Sequence, residues 1–227
     1  MLGSAFCGAL FAALVTAFLV RGGSPPAAGV VEPSGTATDV AEQPVVTFIG
    51  DSWTEGIGAT ALRGYADLTA EQLGWDHYVL GVGGSGYEQA GRGSTFDERV
   101  ERAVATDPDV IVVQGSINDR RASPVDLERA TLRTLRHLRA AADPGTAVLV
   151  LGAAYTPGLA PAVIDGINDT IAAAADRVQV RFVDPAAENW NDPVRISMWA
   201  DDAHPNDAGY QILANRLAPV LESLLDD

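Results

Sequence analysis

A serine, a histidine and an aspartate stand where they could form a hydrolytic site. Ser52 follows an apolar run that closes with Gly50 and Asp51, and Asp201 precedes His204 by three residues near the end of the chain. A serine hydroxyl becomes a nucleophile when an imidazole removes its proton, and an acid on the other ring nitrogen fixes the required tautomer. These residue types therefore favour acyl transfer through a covalent intermediate.

The same residues have ordinary structural explanations. Gly, Asp and Ser each favour turns, and Asp201 or Asp202 could cap the helix that follows His204. A metal cluster of Asp201, Asp202 and His204 is conceivable, but no second group of His, Asp or Glu at ligand spacing accompanies it. The other histidines, His77 and His137, have no acid at such spacing and are predicted to be structural.

Two further segments could donate hydrogen bonds to a developing negative charge. Gly84 lies in a glycine-rich run, and Asn118 follows the apolar run that ends at Gln114. A glycine lets its backbone N–H approach a reacting oxygen closely, and a side-chain amide can replace such an N–H. Asn118 could instead form an Asx turn.

The run Gly81–Gly86 also matches the G-x-G-x-x-G pattern of dinucleotide-binding folds. That pattern requires a helix to begin at the glycines, so that the helix N-terminus meets the pyrophosphate. Here Gly91 and Gly93 delay any predicted helix to about Phe96. We therefore predict no nucleotide site at these glycines.

Aromatic and basic residues flank the candidate segments. Trp53, Tyr87 and Trp199 could line a substrate pocket, although packing explains them equally well. Arg120 and Arg121 could attract an anionic substrate, but a solvated loop is the simpler explanation.

The candidate residues need a fold that brings distant segments together. Five short Val/Ile/Leu-rich runs are typical of parallel strands buried on both faces. These runs are Val45–Ile49, His77–Val82, Val110–Gln114, Ala147–Gly152 and Val178–Val183. Helical patterns alternate with them at Thr60–Leu73, Phe96–Thr106, Pro124–Ala141, Ala162–Asp176 and Pro205–Leu225. This alternation predicts a parallel sheet between two helical layers, with Ser52, Gly84 and Asn118 at its carboxyl edge.

Composition excludes several classes of function. The 227 residues suffice for one domain with a full core. The net charge of −15 leaves no basic surface for nucleic acid. All 15 basic residues are arginines, so no P-loop or Schiff-base lysine is available. The single cysteine, Cys7, permits no intramolecular disulfide.

The first 43 residues differ from the rest of the chain. Leu2–Val20 is uncharged and mostly apolar, and as a helix it would reach about 28 Å, close to a bilayer's hydrocarbon thickness. We expect residues 1–21 to be a signal peptide or a membrane anchor, with a buried helix as the alternative. Residues 22–43, rich in Gly, Pro and Ser, predict a flexible linker. A domain at 44–227 would then be secreted or held in the cell envelope.

Residues 44–227 resemble the SGNH (GDSL-type) hydrolase family. The resemblance rests on four short blocks in the expected order: Gly50-Asp51-Ser52, Gly84 with Gly83 as the alternative, Asn118, and Asp201 with His204 before Pro205. The third block differs, because the family has G-x-N-D and Ser116 stands at the glycine's position. We expect a slight backbone adjustment there. Asp51 is expected to support its loop and not to act as the acid of the triad.

The resemblance implies a role for each block. Ser52 would be the nucleophile, His204 its base and Asp201 the acid that orients the base. The oxyanion hole would consist of the N–H groups of Ser52 and Gly84 and the side-chain amide of Asn118. The family also implies a flavodoxin-like three-layer α/β/α sandwich with about five parallel strands, and no metal or organic cofactor.

The expected activity is that of a serine esterase acting through an acyl-enzyme on a small-molecule or glycan-linked ester. We expect a monomer with no nucleic-acid partner, which meets a membrane only through an uncleaved N-terminal segment. Two alternatives stay open. An O-acyltransferase of envelope glycans would use the same triad, whereas a non-catalytic envelope glycan-binding module would carry a broken one.

Overall fold

A computed structural model describes residues 43–226. The predicted signal peptide or anchor (1–21) lies outside the described residues, as does all of the predicted linker (22–43) except its last residue. Within residues 43–226, no helix combines the length and apolar character needed to cross a bilayer.

Among residues 43–226, five parallel strands form one sheet. They are β1 (Val45–Gly50), β2 (Asp76–Gly81), β3 (Val110–Gln114), β4 (Ala147–Leu151) and β5 (Arg181–Val183). The strand order is β2-β1-β3-β4-β5, and Val46 of β1 pairs with His77 on one side and Val110 on the other. Parallel strands all end at one edge of the sheet, so the segments leaving β1, β2 and β3 are neighbours there. The predicted α/β fold with five parallel strands is confirmed.

In the part of the chain that the structure describes, five α-helices cover both faces of the sheet. They are α1 (Tyr65–Leu73), α2 (Val100–Val104), α3 (Pro124–Ala141), α4 (Pro161–Arg177) and α5 (Asp207–Leu225). Phe48 lies in the core that β1 shares with α1 and α5, whereas its neighbour Ile49 lies in the core shared with α2, α3 and α4. Successive strand residues point to opposite faces, so the fold has the three predicted layers.

Helix α3 has the predicted bounds, and Ser123 caps it by accepting a hydrogen bond from the N–H of Asp126.

The predicted helix Thr60–Leu73 is divided. A single 3₁₀ turn, Thr60–Leu62, comes first, and α1 begins after Gly64. Ala61 has φ of 56°, a left-handed conformation that no α-helix continues through.

His77 and His137 have acidic partners that their spacing along the sequence does not show. Nε2 of His77 lies 3.2 Å from Asp67 Oδ1. His137 lies between two carboxylates, with Nδ1 3.1 Å from Asp97 Oδ1 and Nε2 2.9 Å from Glu101 Oε1. These acids come from other helical elements, so spacing along the chain could not show them. Both histidines join elements of the fold.

We expect His137 to stabilise the fold more in mild acid than in mild base. The hydrogen bond with Glu101, helped by Asp97, raises the pKa of His137 above 6.5 despite partial burial. Because the folded-state pKa exceeds the unfolded one, this stabilisation is complete below about pH 6.5 and is lost as pH rises through the folded pKa. The melting temperature of wild type minus that of His137→Gln should therefore shrink between about pH 5.5 and about pH 8.5. A difference that stays constant or grows would contradict this.

Candidate active site

The Ser52 turn, residues 51–57, starts where β1 ends. The N–H of Glu55 donates to Asp51 O at 3.0 Å, and the N–H of Ile57 donates to Ser52 O at 2.9 Å. A Cβ atom on Gly50 would lie 1.9 Å from Thr54 Oγ1, so the chain can turn this tightly only from a glycine. The turn exposes the serine hydroxyl at the carboxyl edge of the sheet.

The structure brings Ser52, His204 and Asp201 together. Nε2 of His204 lies 3.0 Å from Ser52 Oγ, and Nδ1 lies 2.9 Å from Asp201 Oδ2. The other carboxylate oxygen of Asp201 accepts the backbone N–H groups of Ala203 and His204, each at 2.7 Å. One carboxylate thus orients the imidazole and also shapes the turn that carries it.

Asp201 is held in its ionised form. Its burial alone would raise its pKa, but the hydrogen bonds from the His204 ring and from the N–H groups of Ala203 and His204 outweigh burial and lower the pKa. A carboxylate in this position favours an imidazole with its proton on Nδ1, which leaves Nε2 able to accept the serine proton.

The predicted oxyanion donors lie beside the same hydroxyl. Ser52, Gly84, Asn118 and His204 all line one open pocket of about 580 Å³. In the part of the chain that the structure describes, neither the N–H of Ser52 nor that of Gly84 has an acceptor. Gly84 has φ of 79°, a left-handed backbone conformation that glycine adopts without strain and that other residues disfavour.

Asn118 is held by neighbours on two segments. Its amide nitrogen donates to Ser85 O at 3.0 Å and to Ser116 Oγ at 2.8 Å, and it lies 3.3 Å from Asp51 Oδ2. The backbone N–H of Asn118 also donates to Ser116 Oγ at 3.0 Å. These bonds fix the plane of the amide at the pocket wall.

Ser116 does more than occupy the position of the family's glycine. Its hydroxyl donates to Asp51 Oδ2 at 2.6 Å while accepting two bonds from Asn118. Asp51 is buried and also accepts the N–H of Trp53 at 2.8 Å. Burial raises the pKa of Asp51, and the bonds from Ser116 and Trp53 act in the opposite direction. As expected, Asp51 supports its loop, and the carboxylate on His204 Nδ1 belongs to Asp201.

Arg99 joins the ends of two strands, and sequence reasoning missed it. The side chain is only 4% exposed. Its guanidinium donates to Gly50 O at the end of β1, to Leu80 O near the end of β2, and to Ser85 Oγ at 2.8 Å. An arginine on the apolar face of the helical pattern that begins at Phe96 is a signal that could have identified it, because such a charge must find partners when it is buried.

Asp119 ties the glycine-rich loop to the segment that carries Asn118. The buried carboxylate accepts the N–H groups of Tyr87 at 2.8 Å and Glu88 at 3.0 Å. Burial raises the pKa of Asp119 to about 6, with these donors opposing the shift. The carboxylate is therefore ionised at neutral pH and holds the loop beside the Ser52 turn.

For Trp53, Tyr87 and Trp199, the structure supports packing, because none of the three lines the pocket. Trp53 and Tyr87 are buried in the core, and Trp199 packs on Trp53 with ring centres 5.9 Å apart. The pocket walls are instead apolar at four residues, Ile57, Ile117, Leu159 and Ala203.

Two arginines contribute to the pocket walls. Arg92 is paired with Glu55, with a guanidinium nitrogen 2.6 Å from each carboxylate oxygen. Arg120 donates to Ile117 O at 3.2 Å, whereas its neighbour Arg121 does not belong to the walls.

The alternatives of nucleotide and metal binding find no support in the geometry. No helix begins at Gly81–Gly86, and the next helical turn starts at Asp97. Between Gln43 and Asp226, no group of three or more His, Cys, Asp or Glu side chains has an arrangement that could hold a metal ion.

A family model for GDSL-like lipases and acylhydrolases matches residues 48–212. The chain belongs to this family. A GDSL lipase of Mycobacterium tuberculosis is 33% identical over 190 residues, which is 78% of this chain and 80% of that protein. Membership makes the chain a carboxylic ester hydrolase, as the resemblance predicts.

Solved structures share the fold at lower identity. An aryl esterase of M. smegmatis has a TM-score of 0.63 at 18% identity, covering 80% of this chain and 100% of that one. A carbohydrate acetylesterase of Sinorhizobium meliloti has a TM-score of 0.64 at 16% identity, with the same coverage of 80% and 100%. These likenesses show that the sandwich is common to such proteins.

We expect Ser116→Ala to lower the free energy of unfolding by about 1–3 kcal/mol, because the buried Asp51 carboxylate loses a donor. Urea denaturation monitored by circular dichroism measures this change, with an unchanged slope showing that the unfolding transition is the same. Ser197→Ala, at an exposed serine, is the control. A Ser116→Ala protein as stable as this control would contradict the role assigned to the hydroxyl.

Proposed function

We propose that the protein hydrolyses carboxylic esters through Ser52, His204 and Asp201, with a covalent acyl-enzyme intermediate. The observation that carries the proposal is the 3.0 Å contact between Ser52 Oγ and His204 Nε2, with Asp201 on the opposite ring nitrogen. Nucleophile, base and orienting acid within hydrogen-bond reach of one another form the arrangement that activates a serine.

In the proposed reaction, Ser52 Oγ attacks the ester carbonyl carbon while its proton moves to His204 Nε2. The tetrahedral intermediate collapses, and the departing alcohol oxygen takes that proton from the imidazolium. Water then attacks the acyl-enzyme, giving its proton to His204, and collapse of the second intermediate releases the acid and restores the serine hydroxyl. Asp201 stabilises the imidazolium in both halves of the reaction.

The oxyanion hole is supported by the two unused backbone donors. The N–H groups of Ser52 and Gly84 belong to residues that line the pocket, and neither has an acceptor in the described residues. Asn118 would supply a third donor, with one amide N–H turning from Ser85 O to the oxyanion. The backbone donors of Ser52 and Gly84, which are fixed before the reaction, would stabilise the developing charge without further reorganisation, whereas Asn118 would exchange one acceptor for another.

The substrates that fit best are esters with a small acyl group on an aryl or sugar alcohol. The pocket of about 580 Å³ is open, and its walls combine four apolar side chains with polar and charged ones, which suits a small acyl group better than a long apolar chain. The S. meliloti and M. smegmatis proteins, by their names, act on carbohydrate acetates and aryl esters. Acyl transfer to a glycan hydroxyl would use the same atoms, and nothing in the pocket favours that acceptor over water.

The setting in which the protein acts is part of the proposal. The uncharged run in residues 1–21 supports export, so that the monomeric domain would meet its ester outside the cytoplasm. Mass spectrometry of the native N-terminus would show whether this segment is removed.

Ser52→Ala should lower kcat for p-nitrophenyl acetate by about 10⁴-fold or more, since the nucleophile is lost. The initial rate of p-nitrophenolate release measures it, and Ser197→Ala should behave as wild type. Retained activity in Ser52→Ala would exclude Ser52 as the nucleophile.

The same assay distinguishes the roles of the two acids near the serine, Asp201 and Asp51. Asp201→Asn should lower kcat by up to about 10⁴-fold through the wrong imidazole tautomer, whereas Asp51→Asn, which touches only the supporting network, should be impaired less. If Asp51→Asn were inactive and Asp201→Asn active, the assignment of the two acids would be reversed.

Asn118→Ala should lower kcat by about 10²–10³-fold, the effect of removing one oxyanion donor. The KM for p-nitrophenyl acetate should change little, because the donor acts on charge that develops in the transition state. Asn215→Ala on the exposed side of α5 is the matched control. Equal kcat values for Asn118→Ala and Asn215→Ala would remove Asn118 from the oxyanion hole.

A further inference from the structure

The residue after the serine makes a contact that the family's leucine cannot make. Trp53 stands at the fourth position of the block for which the GDSL family is named. Its indole Nε1–H donates to Ala203 O at 2.8 Å, across 150 residues of chain. That carbonyl belongs to the peptide bond leading directly into His204. A leucine there would fill space but would offer no donor.

The indole ring is held firmly enough to aim this hydrogen bond. Trp53 is 3% exposed. Its ring lies 5.9 Å from the ring of Trp199 and edge-on to Tyr210 at 6.4 Å. Trp199 precedes the His204 turn and Tyr210 lies in α5 just after it, so the ring packs against both flanks of that turn. Buried aromatic side chains in such contacts have few alternative positions.

The turn that carries His204 is held in place by hydrogen bonds from other segments of the chain. The Asp201 side chain is 56% exposed, so its surroundings do not hold it by packing. On one side, the N–H of Gly158 and the hydroxyl of Thr156 bond to Asp202 O. On the other side, Trp53 bonds to the next carbonyl along the chain, and this second bond comes from the turn that carries the nucleophile.

We propose that Trp53 is a positioning residue, whose indole N–H holds the Ala203 carbonyl so that His204 Nε2 stays within hydrogen-bond reach of Ser52 Oγ. The inference rests on the proposed function, because it assigns Trp53 a role in that triad. Trp53 is bonded covalently to Ser52 and through the hydrogen bond to the residue before His204. It therefore fixes the distance between the two reacting atoms in one short connection. Displacement of a catalytic group by about 1 Å can cost about 10²-fold in rate.

The test is Trp53→Phe, which keeps an aromatic ring and removes the N–H donor. We expect kcat for p-nitrophenyl acetate to fall about tenfold or more, with KM within about twofold of wild type. The rate constant of acylation, from the pre-steady-state burst of p-nitrophenolate, should fall by the same factor. A residue that only packs would lower the melting temperature without this split between kcat and KM.

Trp190→Phe is the matched control. Trp190 is also 3% exposed, and its indole N–H donates to Glu188 Oε2 at 2.7 Å, outside the walls of the catalytic pocket. The two substitutions remove the same atoms from equally buried rings. We expect Trp190→Phe to leave kcat within about twofold of wild type.

A second replacement separates the donor from the shape of the ring. Incorporation of 3-benzothienylalanine at position 53 puts sulfur in place of the N–H and keeps the bicyclic ring. This protein should show the same loss of acylation rate as Trp53→Phe, and it decides the question if Trp53→Phe does not fold. An acylation rate within twofold of wild type in a folded protein lacking the donor would overturn the proposal. Failure of the proposed function is a different result, because wild type itself would then show no burst that depends on Ser52.

Discussion

The hydrogen bond between His204 Nε2 and Ser52 Oγ, 3.0 Å long, joins residues that are 152 positions apart. The sheet and one of the two helical layers position it. The end of β1 presents Ser52, and the start of α5 places His204 beside it. Helix α5 can lie there because it shares a core with α1 on one face of the sheet. The parallel order of the strands then brings the loops after β2 and β3, with Gly84 and Asn118, to the same edge.

Several buried polar groups keep that edge in one arrangement. Arg99 binds the ends of β1 and β2, Asp51 and Ser116 hold the amide of Asn118, and Asp119 holds the glycine-rich loop. Each of these groups would be costly to bury alone, and each is satisfied only when the loops are in this position. The geometry of the pocket is therefore set by the hydrogen bonds that these buried groups require, as well as by packing.

The sequence predicts most of the architecture, because buried parallel strands and amphipathic helices leave periodic patterns of apolar residues. The bounds of α3 follow directly from its cap and its stripe of leucines. The break between the 3₁₀ turn and α1 could not be predicted, since nothing in the sequence around Ala61 indicates a positive φ. In the same way, β5 is shorter than its apolar run, because Gln179 takes a positive φ in the turn that closes α4.

The residues proposed to carry the chemistry were identified from four motifs, but the residues that support them were not. Contacts such as the one between Trp53 and Ala203 join distant segments, so no pattern of residues along the sequence indicates them. The central claim is that His204 activates Ser52 in the folded protein. Peptide mapping by mass spectrometry after treatment with a fluorophosphonate tests it most directly. We predict one adduct, on Ser52, in wild type and none in His204→Ala or in urea-unfolded protein. An adduct on another serine, or equal labelling of Ser52 in His204→Ala, would contradict the claim.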